Sequence, residues 1–157
     1  MKREVVYVKK IALVSMFSAL GVVIAPLLWF PFLATKAFPG QHMINALTGV
    51  LLGPIWAAAA ALFIGIIRNA LGIGTVFAFP GGIPGGIIVG IIYWLFKRFR
   101  TTQKIALMAA FCEPIGTVFI GATLAFYAVA PWIGVRFPSL LALWPGWALS
   151  SISGSVI

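Results

Sequence analysis

The side chains that could do chemistry in this chain are few. Its 157 residues include two acids, Glu4 and Glu113, one histidine, His42, and eleven lysines and arginines. Two acids cannot supply the nucleophile, base and acid that an active site needs, so an enzyme is the least favoured class. One histidine with one embedded glutamate also makes a poor metal site, and we expect no metal ion. The remaining chemistry is hydrogen bonding and charge pairing with a small polar ligand.

Glu113 is the most costly of these residues because it lies inside a long apolar run. The run starts near Lys104, nine residues earlier, which places the carboxylate roughly 13 Å along a helix, near the middle of a bilayer. A carboxylate at that depth is expected to face a cavity or a partner. Three roles stay open: contact with a ligand, a structural ion pair with Arg68 or Lys36, and proton coupling. Pro114 follows directly and is expected to open the helix there.

A second group of polar side chains surrounds an aromatic–Pro–Gly turn at Phe38-Pro39-Gly40. The group consists of Lys36, Gln41, His42 and Asn45, and Arg68 and Asn69 follow near the end of a later apolar segment. We predict that these residues line an outward-facing pocket with Glu113, covered by Phe38, Phe79 and nearby tryptophans. Two alternatives stay open: Arg68 could extend to the membrane interface, and the aromatic residues could form an interfacial belt.

The amino-acid composition indicates whether this chain is surrounded by water or by lipid. Apolar residues make up 62% and charged residues 8%, and the mean hydropathy is +1.13. A soluble domain carries about a quarter charged residues, so this chain has too little polar surface for water and belongs in a bilayer. The apolar run from Ile11 is too long for the apolar region of a signal peptide, and no cleavable signal peptide is predicted.

The net charge of +9 is concentrated in two patches. Eight of the eleven basic residues lie in them: Lys2, Arg3, Lys9 and Lys10, and then Lys97, Arg98, Arg100 and Lys104. The positive-inside rule places both patches, and the amino terminus, in the cytoplasm. The patches therefore indicate topology, and nucleic acid is not an expected partner.

The sequence predicts an all-α membrane protein with one domain, residues 1–157, of six transmembrane helices. The helices are expected at about residues 11–29, 42–52, 55–71, 83–97, 104–130 and 140–157. Because the sixth segment has no charged flank, we expect a basic tail to follow it. The predicted location is the plasma membrane of a prokaryote.

A short motif recurs along the chain. Ala37-Phe38-Pro39-Gly40 reappears as Ala78-Phe79-Pro80-Gly81, and Trp144-Pro145-Gly146 is a looser third copy. The copies could simply make good turns. The functional alternative is that three helix amino termini converge on one outer cavity, where their free N–H groups favour a polar or anionic group.

Small residues form a stripe on the first helix. Ala12, Ser15 and Ala19 share one helix face, and small residues let another helix approach closely in lipid. We interpret the stripe as a docking surface for a partner helix. The glycine-rich run at residues 81–86 lacks the Gly-Lys-Ser/Thr ending of a P-loop, so ATP-driven transport would need another subunit to bind the nucleotide.

Several blocks of this sequence resemble the ThiW family. They are residues 36–45, residues 49–54, Ile67-Arg68-Asn69 with residues 72–75, residues 77–81, and Glu113-Pro114-Ile115-Gly116-Thr117. The family is regarded as the substrate-binding S components of energy-coupling-factor (ECF) transporters.

The resemblance implies a six-helix S-component bundle that binds the thiamine precursor hydroxyethylthiazole. It also implies docking onto a transmembrane T component that carries two cytoplasmic ATPases, so that this chain itself needs no cofactor. S components commonly dock through an Ala-x-x-x-Ala stripe, which Ser15 and Ala19 match approximately.

Other functions stay open from the residues alone. The ligand could be another thiamine-related heterocycle or a phosphorylated one, since Lys36, Arg68 and Arg136 are the basic residues left on the outer side. A stand-alone carrier could use Glu113 as its proton site. A channel or a structural membrane protein is a further alternative.

Overall fold

The computed structural model describes residues 2–33, 35–99 and 103–157, and these are mostly helical. Six helices lie in these ranges: α1 (Lys2–Ile24), α2 (Pro39–Leu52), α3 (Pro54–Ala70), α4 (Ala78–Lys97), α5 (Gln103–Trp132) and α6 (Leu140–Val156). Two short strands, β1 (Phe30–Phe32) and β2 (Thr35–Ala37), lie between α1 and α2. The order of the helices follows the six predicted segments.

Three of the helices are long and apolar enough to cross a membrane, judged by length and composition over the described residues. They are α1 from Glu4, α4 and α5, and α3 is a shorter apolar helix. Large apolar side chains are exposed along all three long helices, as expected for a membrane protein. The six crossings and the cytoplasmic amino terminus stay predictions.

The basic patch between α4 and α5 is only partly described. Lys97 ends α4 and Lys104 lies in the first turn of α5, whereas Arg100 lies outside the described residues. The side chains of Lys2 and Arg3 lie outside them too.

Helix boundaries depart from the predicted ones where proline is involved. The predicted starts at residues 42 and 83 were too late, because α2 begins at Pro39 and α4 at Ala78. Proline suits the first helical turn, where its missing N–H leaves no hydrogen bond unmade. The first helix begins at Lys2 and ends at Ile24, two residues before Pro26, instead of covering residues 11–29.

The expectation of an all-α fold is wrong at residues 30–37. Strands β1 and β2 pair antiparallel, with Phe30 opposite Ala37 and Phe32 opposite Thr35. Leu33 adopts a positive φ of 49° in the connection. Aromatic and β-branched side chains favour extended backbone, but two strands of three residues are too short to show a period in the sequence.

Helix α5 is continuous in extent but irregular. An α-helical part, Gln103–Ala110, is followed by a turn at Phe111 and Cys112, and then by π-helical stretches at Ile115–Gly121 and Ala125–Val129. The interruption surrounds Glu113 and Pro114, and proline cannot donate to the preceding turn. Pro114 was predicted to open the helix, and the irregular turns lie on both sides of it.

Helix α4 lies at the centre and packs against α2, α3 and α5. Glycines make the closest approaches possible: a Cβ on Gly116 would overlap the carbonyl oxygen of Pro84, and a Cβ on Gly85 would overlap the Glu113 carboxylate. The close backbone contact between α4 and α5 thus creates the space in which Glu113 is buried.

Candidate functional site

One cavity lies where the β1–β2 hairpin meets the starts of α2 and α4, the end of α3 and the middle of α6. Its polar lining consists of Thr35, Lys36, Gln41, His42, Arg68, Thr75 and Ser150. Its aromatic lining consists of Phe32, Phe38, Phe77 and Trp147. Its volume is about 40 Å³, room for only a few water molecules. The aromatic side chains must therefore move before a heterocyclic ligand can enter.

Five of the nine predicted site residues lie on the wall of this cavity: Lys36, Phe38, Gln41, His42 and Arg68. The other four, Asn45, Asn69, Phe79 and Glu113, are not part of the wall.

Asn69 and Phe79 hold the surrounding structure. The Nδ2 of Asn69 donates to the carbonyls of Gly65, at 2.8 Å, and Thr75, at 3.0 Å, and so fixes the connection between α3 and α4. The ring of Phe79 packs against Gly65, where a Cβ would lie 2.7 Å from its Cε1. Phe79 was predicted to cover the pocket, and Phe77 takes that place because it lies at the start of α4, facing the cavity.

Glu113 is fully buried behind His42 and accepts hydrogen bonds from three helices. Its Oε1 lies 2.8 Å from His42 Nδ1 and 2.9 Å from Asn45 Nδ2, and its Oε2 accepts from the hydroxyl of Ser151. Thr117 Oγ1 is 2.8 Å from Oε1 and also 2.8 Å from the Gly81 carbonyl oxygen, and its single hydrogen can serve one of them at a time. The carboxylate therefore joins α2, α5 and α6.

The contact with Glu113 also fixes how His42 meets the cavity. An ionised carboxylate only accepts hydrogen bonds, so with Glu113 ionised the hydrogen of this contact lies on Nδ1 of His42, and Nε2 is the ring nitrogen that Glu113 does not engage. Asn45 is held in the same way, since its Nδ2 donates both to Glu113 and to the Gly82 carbonyl at 3.0 Å. Glu113 thus positions the cavity wall from behind.

Arg68 lies inside the protein and does not extend to the membrane interface, one of the alternatives considered for it. It is fully buried, its guanidinium carbon lies 3.4 Å from the ring centroid of Phe38, and its Nη1 donates to Gln41 Oε1. Gln41 in turn donates from Nε2 to the Ala78 carbonyl at 3.2 Å. The Nε and Nη2 of Arg68 have no hydrogen-bond partner.

Of the three roles left open for Glu113, the structure does not show the ion pair with Arg68 or Lys36. In the described part of the chain Glu113 pairs with His42. Lys36 is exposed at the cavity rim, with its Nζ 5.3 Å from the ring centroid of Trp29. The cavity wall thus carries two basic side chains and no acidic one.

The idea of three converging helix amino termini is only partly correct. Phe38 and Phe77, which precede α2 and α4, both line the cavity. Pro145 and Gly146, in contrast, lie inside α6, which begins at Leu140 with the Ser139 hydroxyl accepting from Ala142 N at 3.2 Å. The backbone N–H groups of Gln41 and Ala78 already donate to Phe38 and Thr75, so side chains, not free backbone groups, define this cavity.

Sequence reasoning missed several residues of the site. Thr35 and Thr75 meet through their hydroxyls at 3.2 Å on the cavity wall. Ser150 lines the cavity with an unpartnered, buried hydroxyl, and Ser151 beside it bonds Glu113. A pair of adjacent hydroxyls in an apolar helix was the signal that could have identified them, because such groups seek partners in neighbouring helices.

The predicted docking residues lie together on one face of α1. Ala12, Ser15 and Ala19 are all exposed, whereas Val14 and Phe17 on another face are buried against residues of α2 and α3. The Ser15 hydroxyl donates to the Ile11 carbonyl within the same helix, at 3.1 Å.

A membrane protein with a small, basic cavity lined by aromatic and polar side chains has the features of a binding protein for a small polar solute. The family to which the chain belongs is the ThiW family: the model described as thiamine-precursor transporter protein matches residues 11–157. The predicted family is thereby confirmed, and the chain is a member of a transporter family. No curated protein sequence matches the chain.

Proposed function

We propose that this chain is the substrate-binding S component of an ECF transporter and that it captures hydroxyethylthiazole in the cavity between the hairpin, α2, α3, α4 and α6. The observation that carries the proposal is the cavity itself, in which unpaired buried donors face aromatic rings in a chain of the ThiW family. A ring with polar substituents is the kind of ligand that such a lining can hold.

The proposed contacts divide between the ring and its polar groups. Phe38, Phe77 and Trp147 would cover the faces of the heterocycle, since aromatic rings stack on flat ligands. Gln41, His42 and Arg68 would hydrogen-bond the ring nitrogen and the hydroxyl. Glu113, fully buried behind His42, would keep the imidazole in place. Another thiamine-related or phosphorylated heterocycle is the alternative ligand.

The proposed topology has six membrane crossings, a cytoplasmic amino terminus and the cavity facing outward, in the plasma membrane of a prokaryote. It is supported by the two basic patches, which the positive-inside rule keeps in the cytoplasm.

A titration of thermal stability tests the ligand. The purified protein would be heated with hydroxyethylthiazole, its phosphate, thiamine or hydroxymethylpyrimidine at up to millimolar concentration. We expect a rise in the midpoint of unfolding with a thiazole, because a ligand that binds the folded state stabilises it. Gln41→Ala should reduce the rise, whereas Tyr127→Phe, an exposed position on α5, should leave it unchanged. No stabilisation by either thiazole would exclude this ligand class.

The proposed partners are a T component and two cytoplasmic ATPases, which would use ATP and tilt the chain so that its cavity opens inward. The exposed stripe Ala12, Ser15 and Ala19 is the proposed docking surface on α1. Co-purification with these partners is the test. Ala19→Leu should reduce it because a large side chain prevents close helix contact, and Ala128→Leu, exposed on α5, is the matched control.

One observation favours a second function, a stand-alone proton-coupled carrier. The buried pair of His42 and Glu113 behind the cavity is an arrangement that proton relays use. Such a carrier would move the thiazole into liposomes under a pH gradient without ATPase subunits. An S component would bind the thiazole in the same liposomes but would not accumulate it, and a channel would show no saturable binding.

A further inference from the structure

The unpaired edge of Arg68 is the least satisfied polar group in the described part of the chain. Its Nε and Nη2 are both buried and without partner, while Nη1 is engaged by Gln41. Nε–H and one N–H of Nη2 lie in the guanidinium plane and point in parallel along one edge. This is the edge with which arginine binds two oxygens of one carboxylate or phosphate group.

Among the described residues, no carboxylate bonds this edge. Of the two acids in the sequence, Glu113 is bound by His42, Asn45 and Ser151. Glu4 lies in the first turn of α1, close to Tyr7, which contacts Trp56 at the start of α3. Arg68 is near the other end of α3, more than two helical turns away from Trp56.

The surroundings of the edge favour an oxyanion over a neutral group. Arg68 lines the cavity together with Lys36, and no acidic side chain lies on that wall. Ser150 adds a buried hydroxyl that has no partner of its own. A buried charge that is left unpaired is costly, so an oxyanion that enters this cavity would replace a missing counter-ion.

We propose that the Arg68 edge is an oxyanion subsite of the cavity and that the substrate presents a phosphate monoester to it. This inference rests on the proposed function and sharpens it: the cavity selects the phosphate ester of hydroxyethylthiazole over the free alcohol. A phosphate monoester carries up to two negative charges, which the two positive charges of Arg68 and Lys36 would balance. Two of its oxygens can accept hydrogen bonds from Nε and Nη2 of Arg68 at once.

Calorimetric titration in nanodiscs of zwitterionic lipid tests the subsite. The wild-type protein is expected to bind the phosphate ester about tenfold or more tightly than the alcohol, the range of a charge-assisted pair of hydrogen bonds. Arg68→Lys keeps the charge but not the paired N–H groups of the guanidinium, so the ratio of the two affinities, ester over alcohol, should fall close to one. Arg136→Met removes an exposed charge far along the chain, in the connection between α5 and α6, and should leave the preference unchanged.

The outcomes separate the subsite from the proposed function. Equal affinity of the wild-type protein for the ester and the alcohol would overturn the subsite and leave the proposed function standing. If neither thiazole binds, the proposed function fails, and inorganic phosphate decides the subsite: binding that Arg68→Lys abolishes supports it, and no binding overturns it.

A lipid headgroup is the other source of a phosphate. Nanodiscs that contain phosphatidylglycerol distinguish it from a soluble ligand. If the anionic lipid stabilises the wild-type protein but not Arg68→Lys, and no soluble phosphate binds, the subsite holds a lipid and the proposal is wrong. Should Arg68→Lys fail to fold, the wild-type comparison of ester with alcohol still decides.

Discussion

Two consecutive residues of α2 contact buried charged side chains of opposite sign. The two charged groups differ in how completely they are hydrogen-bonded. His42 contacts the Glu113 carboxylate, which also accepts from Asn45 and Ser151. Gln41 contacts the Arg68 guanidinium, which keeps Nε and Nη2 without a partner. The anion is enclosed by donors from the protein, whereas the cation lines the cavity and has one edge without a hydrogen-bond partner. Both side chains are fully buried.

This difference separates a structural charge from one that is available for a ligand. A buried ion that is fully hydrogen-bonded can hold helices together, and removing it leaves several unpaired donors. A buried ion that is half paired destabilises the empty protein and gains its missing partner only when a ligand binds. Glu113 and Arg68 should therefore respond in opposite ways to substitution, and variants at Glu113, at the two serines of α6 and at Arg68 measure this difference.

The largest expected effect is on Glu113. Replacement by leucine leaves the donors of His42, Asn45 and Ser151 buried without an acceptor, and we expect a loss of about 3 kcal/mol in the free energy of unfolding. Denaturation by SDS in mixed micelles measures this energy. Glu113→Gln is the matched control, since it keeps one acceptor oxygen and should cost less. A leucine variant as stable as wild type would show that the carboxylate does not hold the helices together.

A smaller effect on the free energy of unfolding is expected at Ser150 and Ser151, the two adjacent serines of α6, and it should differ between them. Ser151→Ala removes a hydroxyl that donates to Glu113 and should cost about 1 kcal/mol, the scale of a hydrogen bond between helices in a membrane protein. Ser150→Ala removes a hydroxyl without a partner, so we expect a change of less than about 0.5 kcal/mol.

The same SDS titration applied to both serine variants gives the difference directly. Ligand binding should reverse the order: the Ser150 variant should bind less tightly, because Ser150 lines the cavity and Ser151 does not. Equal losses of stability in the two variants would contradict the assignment of these hydroxyls.

Much of this molecule could be predicted from the sequence because membrane helices are long and strongly apolar. The order of six helical segments, the polar cluster after Phe38 and the unusual position of Glu113 all follow from composition and spacing. The hairpin at residues 30–37 could not be predicted, since its strands are three residues long. Pro114 indicated that α5 would be irregular, but the extent of its π-helical stretches, which reach Val129, could not be predicted from the sequence.

The partners of the buried charges were the part of the site that the sequence could not determine. The sequence left Glu113 compatible with Arg68, Lys36 or a ligand, because pairing depends on which helix faces meet in space. Gly85 determines where the Glu113 carboxylate lies, because the absence of a Cβ on Gly85 leaves space for it between α4 and the polar face of α2. In this arrangement His42 lies on the cavity wall, and Asn45, which also contacts Glu113, lies behind it.

The sharpest test of the comparison is Arg68→Met in the protein without ligand, for which we also expect only a small effect on stability. Methionine has a similar length and needs no partner, so removal of a half-paired buried cation should change the free energy of unfolding by less than about 1 kcal/mol or increase it. The unpaired Gln41 oxygen opposes this gain, because Arg68 was its donor. The double variant Arg68→Met with Gln41→Met removes that oxygen as well and should be at least as stable as the single one. If Arg68→Met is as unstable as Glu113→Leu, Arg68 holds the fold together as Glu113 does, and the contrast between the two charges disappears.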